Sequence, residues 1–265
     1  VATYNTMAAI QTAKTATIWD PTKYLNMWTF AFGGGMASTL GYAQFPNSSG
    51  LDGLETSGGA ANTDGVVSSY DVFGSNELGA GFLLASPYDK GRTMTHEVGH
   101  FLGLLHIWGD ATCGDDYCAD TPIHHKANYG CPSTIPSSCD IPAVNEMIQN
   151  YMDYTNDACM NIFTQNQKDR ILTVMTNSPR RSSLKTSTRG SPLALFANDA
   201  EVEIEAGNCF VDAQTAPCIA PPSSNKQVLL YNRGIDPLTS VTLNYTINGG
   251  TNKTQNWTGT LAQDK

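Results

Sequence analysis

Apolar and polar positions along this chain follow three regimes, and each predicts a different kind of element. Lys23 to Phe32 (KYLNMWTFAF) is aromatic and apolar and predicts a buried strand, broken by the glycines Gly33–Gly35. Thr39 to Phe45 (TLGYAQF) and Gly65 to Phe73 (GVVSSYDVF) predict two further strands across a polar, Gly-rich loop. From Gly91 the pattern turns helical, with Thr93 or Thr95 available as N-cap, and Gly103 should end that helix. An irregular stretch from Gly109 to about Asn150, dense in Cys, Asp, Pro and Gly, predicts a long functional or cross-linked loop. A second helix is predicted from Thr164 through Ile171 and Val174, with Thr164 and Gln167 forming a capping box.

Beyond this point the period becomes two. The polar, Ser-rich run from Pro179 to Pro192 reads as a linker. Val202 and Ile204 then alternate with glutamates, and Val241, Leu243, Tyr245 and Ile247 alternate with polar residues. An Asn248-Gly249-Gly250 turn leads to a partner strand through Trp257. The division expected is residues 1–180, a linker over 181–192, and a small all-β, sandwich-like domain over 193–265 that runs on past Lys265. No internal repeat is present.

Composition narrows the function. With 15 Lys+Arg against 24 Asp+Glu the formal net charge of the 265 residues is -9, which argues against nucleic acid or anionic membranes as partners. No apolar run approaches the roughly 20 residues that span a bilayer. The chain starts without Met, and Val1 to Ile10 lacks the basic and apolar regions of a leader, so a processed or trimmed form is expected. Cys113, Cys118, Cys131, Cys139 and Cys159 crowd into the long loop, and Cys209 and Cys218 form a separate pair. No CxxC spacing occurs, so disulfides in an oxidising compartment fit better than a zinc knuckle. Seven cysteines leave at least one outside any internal pair.

Residues 96–106 read HEVGHFLGLLH. His96 and His100, four apart on a helix, project from one face and can reach one ion. Glu97 sits beside them, placed to take a proton from an activated water. Gly103 lets the chain turn so that His106 returns as third ligand, leaving the fourth position of a catalytic zinc site open. Val98, Phe101, Leu102, Leu104 and Leu105 supply the apolar face that packs the same helix.

This stretch resembles the metzincin zinc peptidases, whose pattern HExxHxxGxxH it matches at every fixed position. Met152, within Asn150-Tyr151-Met152-Asp153-Tyr154, matches their Met-turn. LGYAQFP, GRTMTHEVGHFLGLLH, the DTP at 120–122, the YGCP at 129–132 and NYMDYTNDACMNIFTQNQ together resemble the pappalysin (cytophagalysin) family over roughly residues 18–175. The resemblance implies an α+β (α/β/α-like) catalytic domain with a mixed sheet and a zinc-binding helix, and a secreted endopeptidase acting on protein or peptide substrates. It further implies that Tyr154 hydrogen-bonds the tetrahedral intermediate and that Asp157 lines a pocket selecting Arg or Lys just after the cleaved bond. It implies disulfides Cys131–Cys159 and Cys139 with Cys118 or Cys113, and calcium near Asp115, Asp116 and Asp120, where ordinary turn acids are an equal reading. His124 and His125 read as solvated or structural.

One departure stands out: no backing helix is legible in the 95 residues before His96. Two other functions remain open on the motif, a zinc hydrolase acting on a non-peptide ester or acyl group and an inactive surface-binding module. Intact Glu97 disfavours the second, and the Met-turn with Asp157 disfavours the first. A monomer is expected.

Overall fold

Four strands build the sheet on which everything else is mounted: β1 (Thr3–Tyr4), β2 (Met27–Phe32), β3 (Gly41–Ala43) and β4 (Val66–Ser69), in the order β1-β2-β4-β3. The structure is a computed structural model that describes residues 3–54, 58–79, 81–191, 195–204, 228–247 and 249–264. β1, β2 and β4 run parallel, and β3 pairs antiparallel with β4, Tyr42 opposite Val67, which leaves β3 as an edge. β4 (VVSS) is buried along its whole length, as a continuous apolar start demands when both faces of a sheet are covered. Val67 faces one layer with Phe30, Ile10 and Met36. Val66 faces the other with Met94 and Phe101.

The first layer is a helix that sequence reasoning missed, α1 (Met7–Thr17), with the Thr6 hydroxyl accepting from Ala9 N–H. It stands where no backing helix was legible. Its buried residues are Ile10 and Lys14, so half of its inward face is a cation and the apolar stripe is too thin to read. The Lys14 ammonium lies 5.1 Å from the ring centroids of both Trp28 and Tyr42.

The second layer is α2 (Arg92–Phe101), which lies against β3 and β4. Beyond it, Leu104, Ile107, Trp108 and Met152 form a separate core with α3 (Gln165–Asn177). The capping box of Thr164 and Gln167 is present, and the buried Gln167 and Asn150 amides exchange hydrogen bonds of 2.9 and 3.0 Å. Short β5 (Tyr129–Gly130) pairs parallel with β6 (Tyr154–Thr155).

The expected linker is largely folded. Pro179–Ser182 forms α4 and Ser183–Thr186 a 3-10 turn, and the compact first unit extends to Gly190. Arg181 is buried: its guanidinium donates to both oxygens of Asp64 (2.6 and 3.1 Å), to Phe101 O and to Gln44 O. A Ser- and Arg-rich composition reads as solvated, but here the cation has a buried partner 117 positions away.

The second unit spans Ser191–Lys265. Its described residues form two antiparallel ribbons, β7 (Ala200–Ile204) with β8 (Val228–Asn232) and β9 (Leu238–Tyr245) with β10 (Lys253–Leu261), with Val241 opposite Trp257. Buried Asn232 joins them by donating to Asp236 O and Leu261 O. Cys209, Cys218 and Asn248 lie outside the described residues.

Candidate metal centre and active site

α2 starts on Gly91, whose left-handed φ of 76° needs no side chain, so neither Thr93 nor Thr95 is its N-cap. A remote carboxylate does the capping instead. Asp157 Oδ2 accepts from the N–H groups of Lys90 (2.8 Å) and Arg92 (3.2 Å), placing an anion at the positive end of the helix. At the other end Gly103 takes φ 90°, where a Cβ would also strike the Val174 side chain at 2.6 Å. The chain turns back there, and Leu104 N–H donates to Gly99 O.

That return does two jobs. It sends the Leu104 carbonyl to His100 Nδ1 (2.8 Å), and it carries His106 to the other two imidazoles. His96 Nδ1 meets Tyr151 O at 2.7 Å and His106 Nδ1 meets Asp110 Oδ1 at 2.5 Å. Carbonyls and carboxylates only accept, so each Nδ1 carries the proton and each Nε2 is an unprotonated lone pair. Those Nε2 atoms converge: His100 is 3.0 Å from His96 and 3.1 Å from His106. Three lone pairs so close repel unless a cation lies between them, and two metal–nitrogen bonds of about 2.0–2.1 Å set tetrahedrally span roughly 3.3 Å. The donor set fits zinc.

Electrostatics agree with this reading. Burial holds His96 well below the usual imidazole range, helped by its two His neighbours, and lowers His100 to about 4 and His106 to a lesser degree. Neutral imidazoles are what a metal requires. Glu97 is buried, its Oε2 has no hydrogen-bond partner among the described residues, and desolvation pushes it up to about 8. Such an orphaned acceptor is a group waiting for a substrate or water.

Met152 is fully buried, packed with Leu104, Ile107 and Trp108, and its carbonyl accepts from Ile107 N–H. A Cβ on Gly99 would stand 2.5 Å from Met152 Sδ, so the mid-helix glycine makes the room. Tyr154 leans over the site, its ring 4.8 Å from that of His106 and 5.6 Å from that of His96. Burial pushes its hydroxyl up to about 12, so it remains a donor. Glu97, His96, Tyr154 and Asp157 share a cleft of about 500 Å³ that runs along Leu40 and Gly41 of the β3 edge.

The expected calcium aspartates are not brought together. Asp115 Oδ1 accepts from Tyr117 N–H, Asp116 Oδ1 from Thr121 Oγ1–H and Cys118 N–H, and Asp120 Oδ2 from Asn166 N–H. Among the described residues they form no ligand cluster; besides the three histidines only Cys113, His125 and Cys139 converge. Cys113 is bonded to Cys139 and Cys131 to Cys159, whereas Cys118 is a buried free thiol. Cys118 is thus not the partner of Cys139: the chain turns at Cys113 (φ 54°), which faces the 139 segment, while Cys118 points into the interior.

Several residues here gave no sign of their partners in sequence. Asp153 accepts from Asn128 N–H, Asn128 Nδ2 and Tyr154 N–H, tying the long loop to the Met-turn. His124, fully buried, accepts from Met147 N–H. Arg170 Nε donates to Gly103 O, fixing the turn between the second and third histidine. Asp110, four residues after His106, and Asp153, next to Met152, were near enough to the motifs to have been found.

Against known proteins, the Peptidase M43 model, described as Pregnancy-associated plasma protein-A, matches residues 10–176. An extracellular metalloprotease of Arthroderma benhamiae is 51% identical over 86 residues, 32% of this chain and 31% of that protein. One from Colletotrichum graminicola is 38% identical over 134 residues, 50% and 44% of the two chains. The solved structure "Tannerella forsythia mature mirolysin in complex with a cleaved peptide" superposes with a TM-score of 0.54 at 38% identity, covering 68% of this chain and 64% of that one. The matched region is thus under half the length of these fungal relatives and just under two thirds of the solved chain.

Proposed function

The chain belongs to the Peptidase M43 family, and from that premise we propose that it is a secreted zinc endopeptidase that cleaves before Arg or Lys. The observation that carries the proposal is the convergence of three proton-free Nε2 atoms beside an unpartnered buried carboxylate. His96, His100 and His106 would hold the metal, and zinc supplies Lewis acidity to the scissile carbonyl and the attacking water.

The chain's own groups do the rest. Glu97 takes the proton of the attacking water and returns it to the leaving amine. The Tyr154 hydroxyl donates to the oxygen that becomes negative as the carbonyl turns tetrahedral. The free edge of β3 can add an extended peptide as a further strand, which favours a peptide over an ester or acyl substrate. Asp157 keeps Oδ2 on the backbone of α2, leaving Oδ1 for a guanidinium or ammonium after the cleaved bond. Export fits the two disulfides and the extracellular naming of the relatives. Among the described residues no helix is long and apolar enough to cross a membrane. Residues 193–265 are read as an accessory, sandwich-like β domain.

Digestion of a proteome-derived peptide library tests this. Cuts should fall before Arg or Lys, stop with 1,10-phenanthroline and resume with zinc. Glu97→Gln should keep zinc and lose turnover. Cleavage indifferent to chelator, or full turnover in that variant, defeats the mechanism.

A further inference from the structure

His96 and His100 ride on a helix, which fixes their backbones. His106 does not; it follows the Gly103 turn and lies in no helix or strand. Something else must fix its ring. Two residues of the same short segment do so. Trp108 stacks on the imidazole with centroids 4.2 Å apart and planes 9° from parallel. Asp110 Oδ1 accepts from its Nδ1 at 2.5 Å.

The backbone is bent to make the second contact. Gly109 (φ 60°) and Asp110 (φ 55°) are successive left-handed residues, and the Gly109 N–H returns to His106 O at 2.8 Å. A left-handed residue with a side chain costs free energy that glycine would avoid. The Asp110 carboxylate makes no other hydrogen bond or ion pair among the described residues, so its contact with His106 is what the strained conformation secures. It is also the one anion in the set: the other two Nδ1–H groups end on neutral carbonyls of Tyr151 and Leu104. A carboxylate behind an imidazole fixes the tautomer and makes the far nitrogen a better donor.

Resting on the zinc reading above, we propose that Asp110 is a positioning residue for the third metal ligand, clamping His106 together with Trp108 and tightening zinc binding. Its action is on the ring, not on substrate.

The test uses the full chain stripped of metal, with zinc affinity read by competition against a chromophoric chelator and Tm of the metal-free protein measured in parallel. Asp110→Gly removes the carboxylate while relieving the left-handed strain. The metal-free Tm should hold or rise, and zinc affinity should fall about 10- to 100-fold. Asp110→Asn, which can still accept from Nδ1 without charge, should fall by less than Asp110→Gly. Zinc affinity in Asp110→Gly equal to that of the unmodified chain overturns the proposal, as does a loss matched by a collapse of the metal-free Tm. If the unmodified chain itself binds no zinc, the zinc reading fails instead.

Discussion

The sharpest probe of the cleft is Gly41→Ala, because it presses on the catalytic carboxylate without touching a metal ligand. A Cβ at position 41 would stand 2.7 Å from Glu97 Oε1, 2.8 Å from Glu97 Cγ and 2.8 Å from the Val67 carbonyl oxygen. Ordinary contacts begin near 3.5 Å, so Glu97 must retreat by about 0.7 Å, and β3 must also lift from β4, since a backbone carbonyl cannot rotate away. Overpacking of this kind costs about 1–3 kcal/mol of stability. A displacement approaching 1 Å in a reacting group costs roughly 100-fold in rate, or about 2.7 kcal/mol of transition-state stabilisation. None of the three Nε2 atoms is among the three atoms nearest a Cβ at position 41, so zinc stoichiometry should stay at one. The assay is kcat/KM on a quenched peptide with Arg after the scissile bond, with zinc content measured on the same sample. Unchanged kcat/KM would refute the claim that Gly41 makes room for Glu97, and loss of zinc in parallel would show that the change spread beyond the carboxylate.

Asp157→Asn keeps an oxygen for the Lys90 and Arg92 N–H groups but removes the charge at the helix N-terminus, so stability should fall by only about 0.3–1 kcal/mol while the preference for Arg and Lys weakens; an unchanged cleavage profile rules out the pocket assignment. Arg181→Met leaves buried Asp64 with Arg180 alone and should cost about 3–5 kcal/mol in urea unfolding, part of it recovered by adding Asp64→Asn; an additive double variant would mean the pair is not coupled. Lys14 has its ammonium lowered from 10.5 to about 8, chiefly by burial, so its charge opposes folding below pH 8 and the opposition fades between about 8 and 10.5, where the unfolded chain binds the extra proton. Lys14→Met in a Glu97→Gln background, where self-digestion cannot interfere, should therefore gain about 1–2 kcal/mol at pH 7, the loss of contacts to Trp28 and Tyr42 offsetting part of the gain. It should also lose the rise in stability between pH 8 and 10; a parallel pH profile in both proteins would contradict this.

What was legible in the sequence was what is local. His96, Glu97 and His100 are read from helical spacing, Gly103 from its conformational freedom, and Thr164 with Gln167 from a three-residue box. The strands were legible where apolar residues run without interruption, though β2 begins only at Met27 and β4 stops at Ser69. What failed was two places where a cation stands in for an apolar residue. Lys14 made α1 look like a polar, Ala- and Thr-rich stretch, and Arg180 with Arg181 made a packed turn look like a linker. Cys113 and Cys118 could not be told apart because a disulfide depends on which way the backbone turns, and no spacing encodes that.

Arg181, one of the misread cations, acts on the zinc helix together with Arg170. Arg181 donates to the Phe101 carbonyl with its guanidinium over the Phe101 ring, and Arg170 donates to the Gly103 carbonyl, so two buried cations neutralise the carbonyl end of the zinc helix. Asp157 neutralises the opposite end. A short helix of ten residues that must hold His96 and His100 to within a fraction of an ångström is thereby fixed at both termini by charges 65 to 80 positions away in sequence. Fixing α2 from outside leaves its own sequence free to be chosen for chemistry: Gly91 at the start, Gly99 above Met152 and Gly103 at the turn are all poor helix formers, each in a place where the site needs room or a bend. The motif is readable because the helix is specialised, and the helix can be specialised because its support comes from residues the motif does not contain.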